Sequence, residues 1–294
     1  MNAPAPRRGP VVQVLFAAYE VLAMCLGLGM LATICLAWAP ITLLLYPLLP
    51  RRWGQAFGRL AVTVSFRFYL WFLSVFCYCR FDLAELDALK HESPLIIVAN
   101  HPSLLDAVLI LSRFPNMVCV MKAALANNVL FGASARLARY ICNDAPLELI
   151  LRAREELRDG AQLLIFPEGT RTTRFPVNPC SGSVGLIAGR TGVPIQALLI
   201  EFSSPYLGKE WPLFRRPSLP LRVRVRVGRR FPPARDVMAL TQELEAYFRE
   251  QLSAAPEVSP EAAAGPAPTQ CAAGCAAGGA TECVCGRPVA GAPS

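Results

Sequence analysis

A histidine and an aspartate five residues apart are the side chains in this sequence best suited to acid–base chemistry. His101 and Asp106 lie in the stretch "VANHPSLLDA", directly after an apolar run, and the 294-residue chain has only two histidines. Pro102 disfavours a helical conformation at His101, so the imidazole should lie on an extended turn. An Asp106 side chain that faces back would accept from one ring nitrogen and leave the other free to take a proton near neutral pH.

The same residues allow a simpler interpretation. Ser103 followed three residues later by Asp106 is close to the pattern that caps a helix start, so both side chains could serve the helix alone. The chain contains no Gly-x-Ser-x-Gly motif and therefore offers no nucleophile elbow. A catalytic His–Asp pair would consequently act on a nucleophile that the substrate supplies.

A second group of polar side chains lies in the stretch "FPEGTR", after another apolar run. It presents Glu168, Gly169, Thr170 and Arg171 together, and Lys122 follows a third apolar run. Arginine grips phosphate with a two-pronged guanidinium, and glycine lets a ligand approach the backbone closely. These residues are candidates for binding a phosphorylated substrate, and an ordinary polar surface loop with a solvated lysine is the alternative.

Short apolar runs alternate with amphipathic segments after residue 80. Periodicity predicts strands at residues 95–99, 117–121, 162–166 and 193–200, and helices at residues 103–112, 124–140, 146–158 and 183–191. This alternation is typical of an α/β domain with a mostly parallel sheet flanked by helices. Because such sheets bind ligands at the carboxyl ends of their strands, we expect both polar loops and Lys122 to meet at one edge.

The amino-terminal part is predicted to be a membrane anchor. Residues 21–49 contain no charge, and that run is longer than the roughly 20 residues that cross a bilayer as a helix. Arginines flank it on both sides, which favours a membrane-embedded helical hairpin that enters one leaflet and returns, although a full span stays open. The residues available for its bends are Gly27, Gly29, Pro40 and Pro47.

Two alternatives to an anchor are a secreted signal peptide and a pair of buried helices in a soluble core. The apolar core of a signal peptide spans only about 7–15 residues, and here a second apolar stretch follows at residues 68–79. The composition favours membrane contact, because 54% of the residues are hydrophobic and 17% are charged. A net charge of +8 suits an anionic partner such as lipid headgroups or a phosphorylated substrate.

The carboxy-terminal part adds a strand, a helix and a tail. The stretch "RVRVRV" at residues 222–227 alternates strictly, so it predicts either an edge strand protected by charge or a basic face toward anionic lipid. An amphipathic helix is expected at residues 235–252. Residues 254–294 are rich in Ala, Pro and Gly and should be disordered, and the spacing of their cysteines matches no zinc pattern.

Together these motifs resemble the glycerolipid acyltransferase family, that is, the 1-acylglycerol-3-phosphate acyltransferases and their relatives. "NHPSLLD" matches the family's His-x-x-x-x-Asp signature, "FPEGTR" matches its acceptor-binding motif, and "VPIQAL" falls where its valine-proline motif is expected. The resemblance covers residues 90–205 and divides the chain into an anchor at 1–80, an acyltransferase domain at 81–253 and a tail at 254–294.

The resemblance implies a reaction and its participants. His101, polarised by Asp106, would take the proton of a lysophospholipid hydroxyl, which attacks an acyl thioester carried by acyl-CoA or acyl carrier protein. Glu168 and Arg171, with Gly169, Thr170 and Lys122, would hold the acceptor. No metal or cofactor is implied. The expected location is a membrane, in a bacterium the inner membrane with the site on its cytoplasmic face.

Two other kinds of function stay open at this stage. A relative that acylates another lysolipid, such as lyso-ornithine lipid, would carry the same motifs. A catalytically silent lipid-binding relative would use the same pocket without the reaction. A nucleic-acid binder is disfavoured, because the arginines lack interleaved exposed aromatic residues and the apolar anchor would have no purpose.

Overall fold

The computed structural model describes residues 10–126, 128, 132–212 and 214–253. Their seven strands are β1 (Cys79–Asp82), β2 (Leu95–Ala99), β3 (Met117–Met121), β4 (Ile141–Cys142), β5 (Gln162–Ile165), β6 (Ile195–Phe202) and β7 (Leu221–Phe231). Their helices are α1 (Pro10–Leu48), α2 (Arg51–Phe76), α3 (Asp106–Leu111), α4 (Ala123–Ala126), α5 (Gly132–Leu137), α6 (Pro146–Arg158), α7 (Ser183–Thr191) and α8 (Val237–Ser253), with a short 3-10 helix at Ala84–Leu89.

The strands form one mixed sheet in the order β1-β7-β6-β2-β5-β3-β4. All neighbouring strands are parallel except β6 and β7, which are antiparallel. The predicted fold class, a mostly parallel sheet flanked by helices and preceded by an apolar helical hairpin, is therefore confirmed. The strongest periodic segments also have the predicted bounds, since β2, β3, α6 and α7 begin and end at the residues expected from the sequence.

Each face of the sheet has its own hydrophobic core, because alternate side chains of a strand point to opposite faces. Ile96 and Val98 face the core that α6, α7 and α8 cover. Ile97 faces the other core, which α3 covers together with residues of the amino-terminal hairpin such as Leu31 and Tyr69. The hairpin is thus part of the layer that closes this face of the sheet.

The strand β7 differs from the expectation for "RVRVRV". It is not an edge strand, because it lies between β1 and β6. Its basic side chains are also paired within the protein: Arg224 contacts Asp82 and Glu85, and Arg226 contacts Glu201 at 2.5 Å. The prediction of an edge strand is therefore wrong, and these ion pairs explain the alternation as charge matching on the sheet surface.

The hairpin bends at residues 49–50, between α1 and α2, and α1 runs unbroken past the four residues predicted as bends. Gly27 serves close packing instead, since a Cβ there would lie 3.0 Å from the Leu73 side chain of α2. Gly58 of α2 has the same role against the domain, where a Cβ would lie 2.7 Å from the Ala138 nitrogen. Both glycines let helices approach more closely than a side chain would permit.

Helix α2 turns a polar stripe toward the domain. Arg59, only 4% exposed, bonds to Glu156 of α6 at 2.6 Å and also to Asn116 and the Ala138 carbonyl. Gln55 donates to the same Glu156 carboxylate at 2.6 and 2.7 Å. One and two turns further along α2, the stripe continues. Thr63 donates to the carbonyls of residues 111 and 114, and the side chain of residue 67 donates to the backbone carbonyl of residue 112.

The opposite face of α2 is apolar and exposed. Its large exposed side chains recur every three or four residues: Trp53, Phe57, Leu60, Val64, Phe68, Trp71 and Val75. At 1.5 Å rise per residue this stripe is about 33 Å long. Both α1 and α2 are long and apolar enough to cross a bilayer. A helix with polar groups inside and apolar groups outside is unfavourable in water, so its outer face is a candidate surface for a membrane or a partner.

Candidate active site

The candidate site lies at the carboxyl edge of the sheet, where the neighbouring parallel strands β2 and β5 both end. Asn100, the first residue after β2, pairs with β6 through its side chain. Its amide nitrogen donates to the Ile200 carbonyl at 2.9 Å, and its oxygen accepts from the Ile200 N–H at 2.8 Å. The side chain therefore continues the strand pairing after the backbone has turned away, and this fixes the start of the loop that carries His101.

His101 and Asp106 are in contact, with 2.8 Å between Nδ1 of the imidazole and Oδ2 of the carboxylate. The same Oδ2 accepts the backbone N–H of Ser103 at 2.7 Å, and Ser103 Oγ accepts the N–H of Leu105 at 3.2 Å. The helix-capping and the catalytic interpretation of these residues are therefore compatible, because Asp106 orders the turn before α3 and also orients the His101 ring. With Nδ1 engaged, Nε2 is the nitrogen left to exchange a proton.

The electrostatics of Asp106 favour a positive charge beside it. The pKa of Asp106 is raised to about 6, chiefly because the group is buried; the bonds from His101 and Ser103 oppose this rise, and the negative charge of Glu168 adds to it. The carboxylate is completely buried, and its Oδ1 has no hydrogen-bond partner among the described residues. A buried and poorly solvated carboxylate gains most from a neighbouring cation, so Asp106 stabilises an imidazolium at His101.

Glu168 ties the "FPEGTR" loop to the histidine loop. The residue is 9% exposed, and its Oε1 accepts from the backbone N–H of His101 at 2.9 Å and from the hydroxyl of Thr172 at 2.8 Å. Its Oε2 accepts from the N–H of Asn178 at 2.9 Å. The backbone carbonyl of His101 in turn accepts from the N–H of Thr172 at 2.7 Å. His101 is therefore held through both of its backbone polar groups.

Three further residues shape the site, and the sequence reasoning missed them. The ring of Phe166 stacks on the imidazole of His101, with ring centroids 4.1 Å apart and an interplanar angle of 19°. Thr172 bonds as described above, and Asn178 accepts from the N–H groups of residues 173 and 174 and from the hydroxyl of residue 173. A signal existed only for Phe166, which is the first residue of the "FPEGTR" motif. Nothing in the local sequence distinguishes Thr172 and Asn178 from ordinary loop residues.

Arg171 lies at the same edge, but one nitrogen of its guanidinium already donates hydrogen bonds within the protein. Its Nη1 donates to the carbonyls of Leu207 and Gly208 at 2.9 and 2.8 Å. A guanidinium carries five N–H donors, and these two bonds involve Nη1 alone. Leu207, whose φ of 51° is unusual for a bulky side chain, also accepts from the N–H of Leu104 at 3.0 Å. The segment between β6 and β7 is thereby fastened over both loops.

The remaining predicted site residues are placed at the edge without contacts to His101. Gly169 has φ of 63° in a turn closed by its N–H to the Phe166 carbonyl, so the turn itself requires glycine there. Thr170 is half-buried, and Lys122 is exposed at the end of β3, which β5 separates from β2. Within the described part of the chain, no three His, Cys, Asp or Glu side chains converge as a metal site would require.

Comparisons with known proteins bear on the whole of this edge. Residues 80–201 match the family model described as Acyltransferase. A 1-acyl-sn-glycerol-3-phosphate acyltransferase from Pseudomonas aeruginosa is 27% identical over 245 residues, covering 79% of this chain and 89% of that protein. A chloroplastic protein of the same name from Brassica napus is 25% identical over 129 residues, covering 42% of this chain and 38% of the relative.

A solved structure has a similar fold. The crystal structure of the 1-acyl-sn-glycerophosphate (LPA) acyltransferase from Thermotoga maritima superimposes with a TM-score of 0.57 at 19% identity. The match covers 80% of this chain and 95% of that chain. The family match includes both polar loops, so every predicted site residue lies inside it.

Proposed function

We propose that this chain is an acyltransferase of the glycerolipid family and that it moves a fatty acyl group from a thioester to the hydroxyl of a lysophospholipid. The acceptor we favour is 1-acylglycerol-3-phosphate, because two relatives carry that substrate in their names. The observation that carries the proposal is the contact between His101 and Asp106 beside the "FPEGTR" loop. A base oriented by a buried acid, next to arginine donors, suits a hydroxyl on a phosphorylated lipid.

We propose that His101 Nε2 takes the proton of the acceptor hydroxyl as its oxygen attacks the thioester carbonyl. The carbon–sulfur bond then breaks, and the sulfur leaves with the proton that the imidazolium returns. The products are an ester and a free thiol, so atoms and charge balance without a metal or redox partner. Asp106 assists because its buried negative charge favours the imidazolium formed between the two proton transfers.

Arg171→Lys should weaken acceptor binding. Lysine keeps the positive charge but loses the two-pronged geometry that suits phosphate, and it cannot span both loop carbonyls as the guanidinium does. We expect the apparent KM for the lysophospholipid to rise about tenfold, which corresponds to roughly 1.4 kcal/mol, with little change for the thioester. Steady-state kinetics with each substrate varied in turn makes the measurement. A rise confined to the thioester KM would place Arg171 at the donor site.

The pH dependence should follow the Asp106–His101 pair. Because burial raises the pKa of Asp106 to about 6, a falling pH protonates this carboxylate and removes the charge that supports the imidazolium. Since the two groups are coupled, the apparent value belongs to the pair. We expect kcat to fall as the pH is lowered through about 6, measured with saturating substrates. A rate that stays constant well below this range would contradict the assignment.

We propose that the hairpin holds this site at a membrane surface without crossing the bilayer. The support is the direction of the two faces of α2. Its polar stripe bonds to the domain from Gln55 to Arg67, about 18 Å along the axis, so the helix lies along the domain. Its apolar stripe faces outward over the same length and would enter one leaflet. A helix bound sideways in this way would cross a bilayer only with the domain at membrane depth.

Acidic substitutions on the outer stripe should release the protein from membranes. An aspartate at the centre of a membrane helix costs up to about 3 kcal/mol, so Leu60→Asp with Val64→Asp should weaken insertion strongly while leaving the polar stripe intact. The wild type should resist a carbonate wash and the double variant should not. Met238→Asp is the control, because Met238 is also apolar and exposed but lies on α8 at the other face of the sheet. Release of the wild type by carbonate would refute the anchor.

The proposed reaction is tested with purified full-length protein in lipid bilayers. Donors with coenzyme A and with acyl carrier protein are each combined with 1-acylglycerol-3-phosphate, other lysophospholipids and lyso-ornithine lipid, and products are read by mass spectrometry. Phosphatidic acid formation at the highest kcat/KM is the expected result. A preference for another acceptor would change the substrate assignment, and binding of lysolipid without any product would identify a catalytically silent relative.

A further inference from the structure

The "FPEGTR" loop makes more contacts with His101 than an acceptor-binding loop requires. It reaches the histidine at three places: the ring of Phe166 lies on the imidazole, Glu168 accepts the backbone N–H, and Thr172 donates to the backbone carbonyl. None of these contacts involves the nitrogen that would exchange a proton. We propose that Phe166 and Glu168 are positioning residues that hold the His101 ring in its reactive orientation. This inference rests on the proposed function.

The contact with Asp106 leaves one freedom of the ring open. A single hydrogen bond from Nδ1 still leaves the ring some freedom, because coupled changes of χ1 and χ2 rotate the ring plane while the distance to Asp106 stays short. The face of Phe166, stacked at 4.1 Å, removes this rotation and so sets the direction of Nε2. The electron-rich face of phenylalanine also attracts a cation, so the stack strengthens when His101 becomes an imidazolium.

The carboxylate of Glu168 fixes the backbone beneath that ring. Its two oxygens accept three bonds from the protein, from His101, Thr172 and Asn178, and the side chain is 9% exposed. A carboxylate occupied in this way has little capacity left for a glycerol hydroxyl. The sequence predicted that Glu168 binds the acceptor, and the contacts favour a role one step removed from the substrate. Displacement of a catalytic group by 1 Å can cost about 100-fold in rate.

The kinetic test separates positioning from acceptor binding. Phe166→Leu keeps an apolar side chain without the ring, and Glu168→Gln places an amide nitrogen against one of the three donors. We expect kcat to fall about tenfold in the first variant and about 10- to 100-fold in the second, with the acceptor KM within about twofold of wild type. Phe166→Tyr retains the ring and should restore wild-type kcat. A higher acceptor KM at unchanged kcat in Glu168→Gln would show that Glu168 binds the acceptor and overturn its positioning role.

A matched control is available beside the same loop. Glu245 of α8 also accepts a backbone N–H, that of Cys180, at 2.9 Å, but it does not touch His101. Glu245→Gln therefore removes a similar charge and strains a similar bond, and its kcat should stay within about twofold of wild type. An equal loss of kcat in Glu245→Gln and Glu168→Gln would mean that Glu168 acts only through general loop stability and would overturn the proposal for that residue.

A spectroscopic test does not depend on turnover. Since the chain has only two histidines, histidine-selective carbon labelling of the full-length protein in nanodiscs gives two ring signals, of which exposed His91 is the internal reference. Ring current from a stacked phenylalanine moves the His101 ring protons upfield. We expect Phe166→Leu to move the His101 signal downfield and to leave His91 unchanged, with Phe166→Tyr close to wild type. An unmoved His101 signal would refute the stack, whereas an inactive wild type with the expected shifts would refute only the proposed reaction.

Discussion

His101→Ala should lower acyl transfer by about 10²–10⁴ while the protein stays folded and bound to membranes. The substitution removes the imidazole that we propose as the base, the ring whose Nδ1 contacts Asp106 at 2.8 Å. The side chain of His101 is 19% exposed and lies in a loop at the edge of the sheet, so its loss should leave the two hydrophobic cores intact. The rate is measured as kcat at saturating thioester and lysophospholipid.

Asp106→Asn should cost less, about 10- to 100-fold. The asparagine oxygen can still accept from His101 and from the N–H of Ser103, so the orientation of the ring survives. What disappears is the negative charge that favours the imidazolium. His91→Ala is the control for both variants, because His91 is exposed and distant in sequence from the motif, and its kcat should stay within about twofold of wild type. Wild-type turnover by His101→Ala would eliminate the proposed mechanism.

Removal of either partner of the buried Arg59–Glu156 ion pair should destabilise the fold by about 3–5 kcal/mol. The two side chains are 4% and 7% exposed, and the pair joins α2 of the hairpin to α6 of the domain. Arg59→Met leaves the Glu156 carboxylate buried with Gln55 as its remaining partner, and Glu156→Met leaves the guanidinium charge uncompensated. Chemical unfolding of the full chain in mild detergent measures the free energy of unfolding.

The Arg59→Met/Glu156→Met double variant and a surface pair provide the comparison. The double variant should be more stable than the sum of the single changes predicts, because it leaves no unpaired charge, although Gln55 and Asn116 lose a partner. Arg51→Met removes an ion pair with Glu155 whose side chains are about half exposed, and it should cost at most about 1 kcal/mol. An equally small cost for Arg59→Met would mean that the hairpin is not fastened through this pair.

Local periodicity was sufficient to predict the centre of the domain. The strands at 95–99 and 117–121 are continuous apolar runs, and α6 has Pro146 at its first turn and Gly160, with φ of 79°, just past its end. Such signals are local, and tertiary contacts did not override them. Strands β1 and β4 were missed, because four and two residues are too few to show a period. The helix predicted at 124–140 contains α4 and α5 as separate short helices, with residues 127 and 129–131 outside the described part of the chain.

For the candidate site too, local sequence predicted some of the residues and missed others. The motif residues His101, Asp106 and Arg171 could be identified from their types and spacing, and all three lie at the expected edge of the sheet. The partners that hold them could not, because Asn178 and Leu207 are brought there by loop geometry that no local pattern encodes. The same limit applies to the hairpin. Its apolar length could be predicted from the sequence. Its polar inner stripe could not be interpreted, because its partner Glu156 lies far away in the sequence and only the fold brings it opposite Arg59. The predicted tail at 254–294 lies outside the described residues.

The polar stripe on α2 also sets an order of events during synthesis. Glu156 follows Arg59 by 97 residues, and at 5–20 residues per second the ribosome needs about 5–20 s to make it. During that interval the Arg59 charge has no carboxylate from α6, and its burial in lipid would be costly. The nascent hairpin is therefore stable only with its polar side toward water and its apolar side toward the bilayer. If the hairpin anchors the protein as we propose, the chain acquires its final orientation on the membrane before the domain that the hairpin will hold has been translated.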